Sequence, residues 1–109
     1  MKRYNIFNGE IFPHLIGKKL REIARLEKSS FVIVTSYGST SGRSQSKVKA
    51  LSSLRAMKKE GLISGYFPGE VKTTILKENS SYYHDKIKYE SIVKNDKDYG
   101  NDGVIFIFK

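Results

Sequence analysis

The residues with most to offer chemically lie in one run, Gly38 to Lys47, GSTSGRSQSK. An apolar stretch stops just before it, and a helical pattern starts within it. A strand that runs into a Gly and Ser loop opening a helix can receive a phosphate, because the first N–H groups of a helix have no partner inside it and carry the positive end of its dipole. Gly38 and Gly42 would let the backbone approach an anion closely. Ser39, Thr40, Ser41 and Ser44 offer hydroxyls, and Arg43 and Lys47 add charge. The spacing is not that of a Walker A loop, since Arg43 stands where a second Gly is required and no Gly-Lys-Ser or Gly-Lys-Thr follows. Nor is it a dinucleotide fingerprint. The plainer alternative is a connector in which Ser44 or Ser46 caps the helix.

Other reactive groups are sparse. His14 and His84 could run metal-independent phosphodiester cleavage, one as base and the other as acid, if folding brought them together. Asp96, Asp98 and Asp102 lie close in sequence, but Gly and Asn among them mark a turn, and the closing Glu of a calcium loop is missing. The chain has no Cys, which excludes disulfides, thiolate catalysis and Cys-based zinc sites. No motif defines a reaction, so no catalytic residue, cofactor or metal is assigned, and a binding protein is favoured over an enzyme.

Charge narrows the partner. Twenty Lys and Arg against eleven Asp and Glu leave a net charge of +9 and a pI near 9.8. Such a potential gathers polyanions, of which nucleic acid is the commonest, and supplies affinity by releasing counterions. An acidic protein partner would answer the same charge. No run approaches the roughly 20 apolar residues of a membrane span, and the basic start MKRYNIFNGE has no apolar stretch of a secretory signal. A cytoplasmic protein without membrane attachment is expected.

The 109 residues suit one domain, 1–109, built on a single core. YNIF, residues 4 to 7, is predicted as a short strand before an Asn-Gly-Glu turn. From Pro13 to about Lys28 the period is helical, with Ile16, Leu20, Ile23 and, less centrally, Leu26 on one side; Lys18, Arg21, Arg25 and Lys28 fall opposite as a basic stripe. SFVIVTSY, residues 30 to 37, has the continuous apolar character of a strand covered on both faces. A second helix is expected from Ser44 or Ser46 to Glu60, with Val48, Leu51, Leu54 and Met57 inward, stopped by Gly61 with Leu62 folding back. Two strands around a Pro68-Gly69 turn follow, the second alternating at Val71, Thr73 and Ile75. Residues 82 to 94 fit either period and are assigned to a strand; VIFIF closes a sheet of about four or five strands. The class is α+β, two main helices on a mostly antiparallel sheet.

Tyr66, Phe67, Tyr82, Tyr83 and Tyr89 lie among Lys72, Lys77, Lys86 and Lys88. That interleaving suits a sheet that stacks single-stranded bases while Lys neutralises phosphates. The segment Ser44 to Leu76 resembles the recognition helix and wing of a winged-helix DNA-binding domain, although a strand stands where its preceding helix belongs. YGSTSGRSQ is similar to the strand-to-Ser turn of serine recombinases over some ten residues only, without the Arg that precedes the Ser there. The expectation is a small basic protein that binds RNA or single-stranded or structured nucleic acid rather than duplex. Its contacts would come from Lys18, Arg21, Arg25 and Lys28, from Ser39, Ser41, Gly42, Arg43 and Lys47, and from Lys72, Tyr82, Lys86 and Lys88. The alternatives are a phage- or mobile-element-type inhibitor that binds a host protein, a winged-helix-like DNA-binding protein, and a metal-independent nuclease.

Overall fold

The apolar run Phe31–Val34 has no polar face to give to water, so it must sit inside a sheet covered on both sides. The structure, a computed structural model, describes residues 1–6, 13–35 and 45–109 and bears this out. Its elements are β1 (Lys2–Asn5), α1 (Ile16–Leu26), β2 (Phe31–Val34), α2 (Gln45–Glu60), β3 (Gly65–Pro68), α3 (Tyr83–Val93) and β4 (Val104–Phe108), with short 3-10 turns at Pro13–Leu15 and Gly69–Lys72. The strands form one mixed sheet in the order β1-β2-β4-β3. β1 runs parallel to β2, and β4 is antiparallel to both β2 and β3.

Alternation along the two inner strands divides the core. Phe31, Ile33, Ile105, Ile107 and Tyr66 point to one face, where Ile16, Leu20, Ile23 and Ala24 of α1 and Ala50, Leu54 and Met57 of α2 cover them. Val32, Val34, Val104, Phe106, Phe108 and Phe67 point to the other face, beneath Val93 and Tyr89 of α3. The crossovers from β1 to β2 and from β2 to β3 step the same way across the sheet, so a single handedness places both helices on the same face. The class is α+β, as expected, with a third helix beyond the two main ones.

The end of α2 follows its sequence closely. Gly61 adopts φ +81°, its N–H donates to Lys58 O at 3.2 Å, and the Leu62 N–H donates to Met57 O at 3.0 Å. These are the paired bonds of a Schellman stop. Several expectations fail. Beyond Pro68 no hairpin forms: β3 pairs with β4, residues 69–72 coil into a 3-10 turn, and Val71 alone of the alternating trio is buried. The Gly69 backbone lies so close to Asn101 that a Cβ there would stand 2.2 Å from its carbonyl oxygen, so the chain turns under the 96–103 loop rather than back along β3. A winged-helix wing is therefore absent from these residues. Residues 83–93 are helical, not extended. The short strand begins at Lys2 rather than Tyr4, Val48 is 43% exposed, and Leu26 is 78% exposed.

Candidate nucleic-acid interface

α1 and α2 lie side by side, close enough that a Cβ on Gly17 would come within 2.9 Å of Ser53 Oγ. Helices in such contact have axes about 8–10 Å apart. With Ile16, Leu20, Ile23 and Ala24 turned to the sheet, a step of roughly 100° per residue directs Lys18 and Arg25 outward, and both are exposed. In α2, where Ala50, Leu54 and Met57 are inward, the same step directs Ser52 and Lys59 outward, with Lys49 on the flank toward α1 and Arg55 on the opposite flank, all of them exposed. Lys18, Lys49 and Lys59 make no ion pair among the described residues.

Arg21 stands differently. Its guanidinium donates to both carboxylate oxygens of Glu60, at 3.3 and 2.7 Å, joining the two helices. That bond from Arg21 holds the Glu60 carboxyl below its usual range against the opposing effect of burial, and the charges of Arg21 and Arg25 act in the same direction. Lys28 is exposed just past the end of α1. Three of the four stripe residues thus remain available, while Arg21 fastens the layer.

The other predicted contacts scatter. Ser39, Ser41, Gly42 and Arg43, and with them the loop reading, lie outside the described residues. Lys47 turns inward from the first turn of α2, is nearly buried, and pairs with Glu70. Tyr82 packs edge-on against Tyr66, with ring centroids 5.8 Å apart, between the two core clusters. Lys72 lies over the Tyr99 ring, Lys88 over the Tyr89 ring, and Lys86 stands 3.9 Å from Glu90. The aromatic stacking platform does not form: Tyr66 and Phe67 are buried, and Tyr89 stacks on Phe108 at 4.4 Å as part of the core. His14 and His84 sit on opposite sides of the sheet, so folding does not unite them. Asp96 and Asp98 accept from Arg3, and among the described residues no three His, Asp or Glu gather as metal ligands.

Sequence reasoning missed Lys49, Arg55 and Lys59. The signal was present, because the arithmetic that places the stripe on α1 places these outside α2 as well.

A second feature adjoins this surface. At the carboxyl end of β3, against the first turns of α2, lies a cleft of about 660 Å³ walled by Val48, Leu51, Pro68, Leu76 and Tyr82, with Lys47, Glu70 and Asp102 among its polar groups.

Fold and surface together define a small basic α+β domain, with two helices on one face of a mixed sheet and one on the other. Compared with protein-family models, curated proteins and solved structures, the chain matches none. No helix among the described residues is long and apolar enough to cross a membrane.

Proposed function

We propose that this protein binds nucleic acid through the outer side of its α1–α2 layer. The observation that carries the reading is the outward pair Lys18 and Arg25 beside the exposed Lys49 and Lys59 of α2, on helices in direct contact. Lys18 and Arg25 are two turns apart, about 10 Å along the axis. The two pairs are a similar distance apart, close to the Debye length of about 10 Å at 0.1 M salt, so their potentials reinforce one another. The partner is RNA or single-stranded or structured nucleic acid. Two packed helices, each roughly 10–12 Å across, present a broad side that a duplex major groove of about 12 Å does not admit.

The test replaces Lys18 and Arg25 with Gln and measures oligonucleotide binding against salt. Each lost phosphate contact should lower the log–log salt slope by roughly 0.7 on a single strand, about 1.4 for the pair. Both side chains are exposed, so the melting temperature should hold. An unchanged slope removes this face from the function.

A second reading, an inhibitor-type protein that docks on an acidic protein, draws on Ile75 and Ile87, which are 94% and 66% exposed. It requires that the association survive nuclease digestion, which the nucleic-acid reading does not.

A further inference from the structure

We propose that the cleft beside α2 takes one unstacked nucleobase of a strand held on the α1–α2 surface, an assignment that rests on the nucleic-acid reading above. Size comes first: about 660 Å³ lies within the roughly 300–1,000 Å³ typical of ligand sites and holds a base with its sugar. The walls have the right character. Val48 and Leu51 on one side, Pro68 and Leu76 on another, and the aromatic Tyr82 give apolar surface to a planar ring.

The polar groups complement a base edge. Lys47, a donor only, stands against Glu70, an acceptor only, and Asp102 adds a second carboxylate. The Watson–Crick edge of every base carries both a donor and an acceptor, so a site with both can pair with it. Glu70 is only partly covered, with 42% of its side chain exposed, so it keeps lone pairs for an incoming N–H.

Position links the cleft to the phosphate surface. Val48, 43% exposed, lines the cleft and shares a side of α2 with the exposed Arg55, two turns or about 10 Å along the axis. A backbone neutralised at Arg55 passes the mouth of the cleft, and a base released from its stack can enter. The cleft also lies beyond the carboxyl end of β3 and against the helix that follows β2, two parallel strands separated by antiparallel β4.

The experiment uses three probes in NMR titrations of the whole chain: single-stranded (dC)8, a heparin octasaccharide, which has the charge but no bases, and dCMP. Both polymers should shift the amides of Lys18 and Lys49, whereas only (dC)8 should move the methyl groups of Val48, Leu51 and Leu76. Val48→Gln, at an exposed position, should weaken (dC)8 about tenfold and leave heparin binding unchanged, as loss of a base contact does. Still methyls alongside moving helix amides would overturn the base pocket while sparing the nucleic-acid reading. Equal losses for both polymers in Val48→Gln would do the same. Helix amides that ignore both polymers would sink the reading and the pocket with it. Binding of dCMP as tight as that of (dC)8 would overturn the strand and leave a free-nucleotide site.

Discussion

Asp85 holds three elements in register. From the first turn of α3 it accepts the Tyr66 backbone N–H of β3 at 3.0 Å and receives both its bonds from the Lys58 ammonium of α2, at 3.0 and 3.1 Å. β3 is an edge strand, and an unpaired N–H on an edge invites another chain; here the carboxylate occupies it. Gly65 beside it has no room for a side chain, since a Cβ would lie 2.8 Å from Asp85 and from the Tyr89 ring. Asp85→Ala should therefore cost about 2–3 kcal/mol by leaving the Tyr66 N–H buried and unsatisfied, a fall in melting temperature of roughly 10 °C or more. Asp85→Asn, whose amide oxygen can still accept that bond, should recover about half, and equal melting points for the two would contradict this role. Lys47 and Tyr82 show why single residues were harder to place than stripes. Composition marks a Lys or Tyr as a contact residue, but the tertiary neighbours Glu70 and Tyr66 decide which way it turns, and both are more than fifteen positions away.

Among the elements, α1, α2, β2 and β4 were legible because each carries one uninterrupted signal: an apolar side at helical spacing, or an apolar run. α3 was not. Its inward side reads Tyr82, Asp85, Tyr89, Val93, and the buried Asp85 breaks the apolar period where a reader expects Ile or Leu. Tyr, Ile and Val then tip propensity toward a strand, a preference that packing on Phe108 overrides. Val71, Thr73 and Ile75 alternate by composition alone, while the turn below Asn101 decides the backbone. The stop of α2 is the opposite case, since local chemistry sets it. Among the described residues no atom outside the chain neighbours lies within 4 Å of a Cβ at Gly61, so what opposes substitution there is the φ of +81°. Gly61→Ala should cost about 1–2 kcal/mol, and Gly61→Asn distinctly less, by thermal or urea unfolding. A fully tolerated Ala would mean that the Schellman stop does not form in solution.

For the whole molecule, ionisable contacts set a window of pH. Glu27 lies below its usual range chiefly because Tyr4 donates to it, and Glu60 because Arg21 does; Asp96 is opposed by burial yet also ends lower, through the Asp98 N–H and Arg3. Carboxyls lowered in the fold stabilise it above the unfolded value near pH 4, and that contribution is lost as pH falls through the folded values. At the other limb, burial raises Tyr66 to about 12 and also raises Tyr99, whose hydroxyl donates to Glu90. A raised phenol stabilises the fold fully below about pH 10 and loses that contribution as pH climbs through the folded value. The melting temperature should therefore be level from about pH 5 to 9 and fall on both sides. Asp96→Asn should lower the plateau slightly, by roughly 1 kcal/mol or less, and flatten the acid limb. An acid limb unchanged in Asp96→Asn would show that Arg3 is not held there.

β4 lies between β2 and β3, which touch through it alone, and it follows both in sequence. Synthesis on a ribosome therefore delivers the flanking strands, and both helices of the basic face, before the strand that joins them exists. Phe31–Val34 and Gly65–Pro68 must wait with their apolar side chains uncovered until residues 104–108 clear the exit tunnel. Closure of the sheet thus waits for β4 to emerge, and until then the apolar strands on either side of it are open to misassociation, the interval in which a chaperone would act.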